Sequence, residues 1–264
     1  MAVNFVKMHG AGNDFVMIDD REGTFPADAA HVAAIGSRPD GIGCEGVILV
    51  GKSTKADFAM RFFNPDGSEA ELCGNGARCV AAFALAIGAV RSPRMRFETL
   101  AGMVGAEVLT DGRVRVEMPT PKDLRPDFVN SGVPHKIVPV DDLAAADVFR
   151  EGRRIRYSDE FAPAGTNVDF VKFVSAHALE IRTYERGVEA ETGACGTGSV
   201  AAAVVGVAQH GLAFPVSVHT VKGFDLTIGG ETDGKSFHSV TLTGPAARVF
   251  EGEIDLDSLD ISNG

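Results

Sequence analysis

Two cysteines, Cys73 and Cys195, stand immediately before a Gly-x-Gly step and an alanine-rich apolar run. Cys73-Gly74-Asn75-Gly76 leads into Val80-Ala81-Ala82-Phe83-Ala84-Leu85-Ala86, and Cys195-Gly196-Thr197-Gly198 leads into Val200-Ala201-Ala202-Ala203-Val204-Val205. Each apolar run predicts a helix. A thiol just ahead of a helix meets unbonded N–H groups and the positive end of the helix dipole, which stabilise a thiolate. The glycines let those N–H groups approach a ligand closely, and a carboxylate suits a helix N-terminus. Two such thiols suit one acid and one base on opposite faces of a single carbon, with its carboxylate gripped by two helix ends. The bland reading of either cysteine alone is a small buried apolar residue; the paired occurrence reverses the odds.

The elements that must position these thiols are themselves repeated. The two cysteines lie 122 residues apart, and the same offset relates the segments 15–20 and 137–142, Gly43 and Gly165, Glu69 and Glu191, and Gly76 and Gly198. It slips to 121 at Thr99 and Gly102 against Thr220 and Gly223. A nearly constant offset implies duplication of one domain of about 120 residues. Strand-like runs recur at 2–8, 14–19, 46–50, 57–63, 94–99, 103–109, 113–118, 136–140, 168–174, 179–184, 215–221, 223–228 and 238–243, separated by turn signals such as Asp66-Gly67 and Asp233-Gly234. Each half holds one central helix, over 75–88 and 197–210, with Gly88 and Gly211 at the ends. Further helices are expected at 28–36 and 142–150. Many strands around one wholly apolar helix predict an α+β fold of two pseudo-symmetric domains, each a curled sheet around a buried helix. The expected boundaries are 1–118, joined by the C-terminal segment 246–264, and 119–245, with Met118-Pro119-Thr120-Pro121 as the link.

Composition narrows the chemistry. The 264 residues are 45% hydrophobic, enough for one large or two small cores, and the net charge is −11. That balance argues against nucleic acid or an anionic membrane surface as partner. The N-terminus lacks a signal-peptide pattern, and no apolar run is long enough to span a bilayer. The four cysteines, Cys44, Cys73, Cys79 and Cys195, show no zinc-ligand spacing, and no metal site is expected. Reduced thiols in the cytoplasm are the expectation, with Cys44 and Cys79 structural.

Other motifs are weighed in the same way. Gly41-Ile42-Gly43-Cys44-Glu45-Gly46 matches a dinucleotide fingerprint, but Val47-Ile48-Leu49-Val50 reads as a strand where that fingerprint needs a helix, so a tight turn is favoured. Asn64 and Arg186 each lie nine residues before their cysteine, which favours ligand roles over a plain turn. Glu185 and Arg186 would supply an anion and a cation for a zwitterion. Asn13 has His135 as its repeat partner.

At these residues the chain resembles the diaminopimelate epimerase family. The matching motifs are Lys7-Met8-His9-Gly10-Ala11-Gly12-Asn13-Asp14-Phe15, Gly41-Ile42-Gly43, Asn64-Pro65-Asp66-Gly67-Ser68-Glu69, Cys73-Gly74-Asn75-Gly76-Ala77-Arg78-Cys79, Pro134-His135, Glu185-Arg186-Gly187 and Ala194-Cys195-Gly196-Thr197-Gly198. The resemblance implies pyridoxal-independent, metal-free epimerisation of LL- to meso-diaminopimelate, with Cys73 and Cys195 exchanging roles as thiolate base and thiol acid. It implies His135 and Glu185 as neighbours that set the thiol pair. It implies the N–H groups of Gly74, Asn75, Gly196 and Thr197 on the reacting carboxylate, and Asn13, Asn64, Asn167, Glu185 and Arg186 on the rest of the substrate. It further implies a site in the cleft between two similar domains, no cofactor, and a possible homodimer. Three departures bear on the distal end of the substrate: Val133 before Pro134-His135, Gly46, and one additional residue between Arg186 and Cys195. Two other functions compete. One is a racemase or epimerase of the same fold acting on another amino acid, which a substrate panel would separate. The other is a redox sensor in which Cys73 and Cys195 form a regulatory disulfide.

Overall fold

A computed structural model of the chain describes residues 1–259. Two compact units are present: residues 1–116 with the C-terminal segment from 245, and residues 117–244. Positions 260–264, the end of the expected C-terminal segment 246–264, lie outside the described residues.

The first unit runs β1 (Ala2–Gly10), β2 (Asn13–Asp19), α1 (Ala29–Gly36), β3 (Val47–Gly51), β4 (Phe58–Phe63), β5 (Glu69–Ala70), α2 (Gly74–Ala86), β6 (Arg94–Thr99), β7 (Gly102–Val108) and β8 (Val114–Glu117). The second runs β9 (Lys122–Arg125), β10 (Phe128–Asn130), β11 (Pro134–Pro139), α3 (Val148–Arg156), β12 (Asn167–Ser175), β13 (Ala178–Glu185), β14 (Ala190–Thr192), α4 (Gly196–Gln209), β15 (Val216–Thr220), β16 (Asp225–Thr232) and β17 (Phe237–Gly244). The chain then closes with β18 (Ala247–Asp255), antiparallel to β1.

The ladders of the two units match one for one. In the first the strand order is β18-β1-β2-β3-β4-β6-β7-β8, with β2/β3 and β4/β6 parallel and β5 added to β4. In the second it is β9-β10-β11-β12-β13-β15-β16-β17, with β11/β12 and β13/β15 parallel and β14 added to β13. The duplication read from the 122-residue offset is therefore a duplication of topology.

Each sheet encloses one helix. α4 packs against strands from β10 to β17, which a sheet achieves only by curling around it, and α2 packs against β1, β2, β3 and β7. The sequence explains this position. From Gly74 to Ala84 α2 buries every residue except Ala82, and α4 is buried from Gly196 to Gly206 except at Thr197. Small Ala and Gly side chains let strands approach the helix on all sides. Each buried Val or Phe among them contributes about 1.5–3 kcal/mol by leaving water. The second helix of each half covers the opposite face. Val32 and Ile35 of α1 join a core with Phe5, Val16, Ile18, Leu49 and Phe63, while Val148 of α3 packs on Val168, Phe170 and Tyr184. β3, covered on both faces, is accordingly buried at Val47, Ile48, Leu49 and Val50, without polar alternation.

Some expectations shift. The helix expected at 142–150 forms instead at Val148–Arg156. Asp142 accepts from the backbone N–H groups of Ala144 and Ala145 (3.0 and 3.3 Å), closing a turn, and Asp147 caps the helix through Arg150 N at 3.1 Å. Two Asx caps competed for the same segment, and the second started the helix. The pattern search also misses β5, β9, β10, β14 and β18, which are short or largely exposed. After Gly46 comes β3, so 41–46 is a turn into a strand and lacks the helix a dinucleotide site needs. No helix among the described residues is long and apolar enough to cross a membrane.

Candidate active site

Both cysteines occupy the N-cap position of the enclosed helix, Cys73 for α2 and Cys195 for α4, in extended backbone conformations. The first ordinary helical bonds run from Ala77 N to Cys73 O (2.7 Å) and from Ser199 N to Cys195 O (3.0 Å). The N–H groups of Gly74 and Asn75, and of Gly196 and Thr197, therefore belong to the first turn, for which the helix supplies no acceptor.

In the first unit, Cys73 Sγ donates to Asn13 Oδ1 at 3.6 Å, and Asn75 Nδ2 reaches the same oxygen at 3.5 Å. Asn13 comes from the β1–β2 hairpin and also donates to Glu45. Behind the helix start lies Arg78, fully buried. Its guanidinium donates to Asn75 Oδ1 (2.8 Å), Gly74 O (3.3 Å) and Pro245 O (3.2 Å). No carboxylate pairs with it in any ion pair of the described residues. Burial pulls its pKa down, while Cys79 and Cys73 oppose that fall electrostatically, so the buried cation and the Cys73 sulfur stabilise each other's charged forms. Asn64 lies at the end of β4, where it donates to Ser68 Oγ at 3.1 Å and shapes the following turn. Burial pushes the Cys79 thiol up to about 12 and raises that of Cys44, as inert packing thiols require.

In the second unit, Cys195 Sγ accepts from Gly198 N (3.4 Å) and lies 3.4 Å from Thr197 Oγ1. Thr197 Oγ1 is 3.0 Å from His135 Nε2, and His135 Nδ1 is 2.7 Å from Asp169 Oδ2. Thr183 Oγ1 donates to the other Asp169 oxygen at 2.7 Å. Strand register builds this row. His135 of β11 pairs with Asn167 of β12, Asp169 follows two residues later on the same face, and Thr183 of β13 stands opposite Asp169. His135 and Asp169 are completely buried. Glu185, at the end of β13, accepts from Thr192 Oγ1. Desolvation raises the Glu185 pKa, with Thr192 and His135 opposing the rise. The Cys195 thiol is held well above the ordinary 9.0, first by desolvation and then by the Glu185 and Asp169 carboxylates.

The structure thus gathers Cys195, His135, Glu185 and Thr197 in the second unit, and Cys73, Asn75 and Asn13 in the first. Asn167 has its amide bonded to backbone at both ends, to Pro134 O at 3.1 Å and from Arg186 N at 2.9 Å, so it braces the Arg186 turn. The Arg186 guanidinium leans on Ala164 O and Gly165 O (3.3 and 3.4 Å). Of the three departures, Gly46 has a steric reason. A Cβ there would lie 2.5 Å from Phe62 Cε2 and 2.9 Å from Phe63 O, leaving no room for a longer side chain. Val133 closes the β10–β11 turn by accepting from Ser131 N at 3.1 Å.

Sequence reasoning missed Asp169, Thr183 and Arg78. Asp169 and Arg78 had a readable signal, a charge inside an otherwise apolar strand or helix, which survives only when partnered. Thr183 had none.

Fold and site together define a class: duplicated α+β proteins in which each half presents a thiol at the start of its enclosed helix. Among solved structures, a phenazine biosynthesis protein of the PhzF family from Bacillus anthracis matches with TM-score 0.74 at 17% identity, over 97% of this chain and 99% of its own. A probable proline racemase from Agrobacterium radiobacter K84 matches with TM-score 0.69 at 19% identity, over 98% and 94%. At such identities the likeness is one of fold alone. The sequence goes further: the diaminopimelate epimerase profile matches residues 5–123 and 128–249. The diaminopimelate epimerase of Aquifex aeolicus (strain VF5) is 43% identical over 98% of this chain and 100% of the relative. The chain belongs to the diaminopimelate epimerase family.

Proposed function

We propose that this chain epimerises LL-diaminopimelate to meso-diaminopimelate, with Cys73 and Cys195 as the two proton-transfer groups. The observation that carries the reading is the pair of thiols at equivalent N-caps of two enclosed helices, in a chain of this family. A Cα–H flanked by an ammonium and a carboxylate is a very weak acid, and a thiolate removes it only where the developing charge meets preorganised donors. The N–H groups of Gly74, Asn75, Gly196 and Thr197 are those donors. One thiolate takes the proton, the other thiol returns one to the opposite face, and the configuration inverts with no change in oxidation state. Such chemistry needs neither metal nor pyridoxal. Asn13, Asn64, Asn167, Glu185 and Arg186 hold the amino groups and the distal carboxylate.

The two thiols differ in the charge around them. The Arg78 cation and the α2 N-terminus lower the cost of ionising Cys73 once its S–H leaves Asn13, while Glu185 and Asp169 favour a protonated Cys195. The protein works in the cytoplasm as a homodimer; among the described residues β18 pairs with β1 alone and carries Val249 and Phe250 exposed, which supports association of two copies.

The test is proton exchange in D2O under reducing conditions, with LL- and meso-diaminopimelate and a panel of other L-amino acids. The expected result is deuterium at Cα and interconversion of the two isomers, lost in Cys73→Ala and Cys195→Ala. Exchange only with another amino acid would overturn the substrate. No exchange with any amino acid would overturn the reaction.

A further inference from the structure

The Cys195 thiol does not end at its own hydrogen-bond partner. From Sγ the row runs through Thr197 Oγ1 (3.4 Å) to His135 Nε2 (3.0 Å), and from Nδ1 to Asp169 Oδ2 (2.7 Å), which Thr183 anchors from behind (2.7 Å). Every group beyond Thr197 is buried, and Asp169 makes no contact that substrate binding would require. A buried carboxylate facing Nδ1 fixes the tautomer: Nδ1 carries the proton and Nε2 turns its lone pair to Thr197. The hydroxyl then donates to Nε2 and accepts from the Cys195 S–H.

We propose that Asp169 is a positioning residue for the reaction, holding His135 so that Cys195, Thr197 and His135 form one hydrogen-bonded wire that aims the Cys195 S–H. The inference rests on the two-thiol reading above. No proton is transferred along the wire: Asp169 orients His135, His135 Nε2 accepts from Thr197 Oγ1, and that oxygen accepts from Cys195, so the S–H is held in one direction as it delivers its proton to the substrate. Asp169 of β12 and Glu185 of β13 are the charged groups facing this imidazole. Gly198 fits the same plan, since a Cβ there would sit 2.5 Å from Asp169 Oδ1.

The experiment is a double-mutant cycle on the full chain with LL-diaminopimelate, using D169N, T197V and the double variant. D169N keeps the shape and removes the charge; T197V keeps the shape and removes the hydroxyl. Each single change is expected to lower kcat about 10- to 100-fold while KM stays within about threefold. Because both cut one wire, the double variant should be no more than about threefold worse than the poorer single. Multiplicative losses, or a D169N enzyme within about twofold of wild type, would overturn the wire. Site-resolved alkylation gives an independent readout: T197V should change the Cys195 rate and leave Cys73, in the other unit, unchanged; equal effects on both would overturn it. Should D169N fail to fold, T183A tests the same row from its outer end, with kcat about threefold lower expected and an unchanged kcat counting against the proposal. A wild-type enzyme that does not exchange Cα–H of diaminopimelate would defeat the epimerase reading itself, whereas active wild type with fully active variants defeats only the wire.

Discussion

The two units share a strand order and differ in charge around the feature they share. Behind Cys73 lies a buried cation, Arg78, held by a carbonyl network and unpaired with any carboxylate of the described residues. Around Cys195 lie two carboxylates, the buried Asp169 and the half-buried Glu185. Duplication supplied two equivalent thiols, and substitutions behind them made the thiols inequivalent. The difference sets which thiol is the easier to ionise in the ligand-free protein.

The comparison breaks most completely at the thiols. Cys73→Ala and Cys195→Ala should each lower kcat by about 10²–10⁴-fold or more, measured as isomer interconversion, since each deletes one proton-transfer group. Next comes the cation. Arg78→Met should cut the ionised fraction of Cys73, lowering its alkylation rate at neutral pH about 10-fold, given that a nearby opposite charge shifts a pKa by 1–3 units. An unchanged rate would remove Arg78 from the account. A smaller contrast separates the equivalent glycines. In Gly198→Ala the new methyl meets the fixed Asp169 carboxylate at 2.5 Å, whereas in Gly76→Ala it meets Ile48 Cδ1, a terminal methyl, at 2.8 Å. Urea unfolding should show a loss of about 1–3 kcal/mol for Gly198→Ala and a smaller one for Gly76→Ala. The smallest effect is on stability against pH. The folded protein holds the Cys195 proton above the thiol's ordinary 9.0. The unfolded chain releases that proton first as pH rises, so this group's stabilisation is full below about pH 9 and is lost through the folded-state pKa. Cys195→Ser should therefore unfold less steeply with pH above 9 than wild type; an identical slope would argue against a raised thiol.

What the sequence made legible was local. A cysteine before Gly-x-Gly and an apolar run defines its own N-cap, and both helices begin one residue from where the pattern places them. The strand after 41–46, which rules out a dinucleotide fingerprint there, was equally readable from its own character. The row behind Cys195 was hidden because it depends on register: Thr183 meets Asp169 only once β12 and β13 pair, and His135 joins them only through the parallel β11–β12 ladder. Asn167 adds a role that its place in the motif did not carry: its amide braces Pro134 and Arg186. β18 escaped because its pairing with β1 spans the length of the chain and its side chains are mostly exposed.

The central claim is that the two thiols of the resting enzyme differ in acidity because their surroundings differ in charge. The most direct measurement is the alkylation rate of each cysteine in ligand-free enzyme as a function of pH, resolved by peptide mass spectrometry under reducing conditions. Cys73 should be labelled first and near neutral pH, with Cys195 following only at markedly higher pH. Labelling of Cys195 first, or of both along one common curve, would contradict the account.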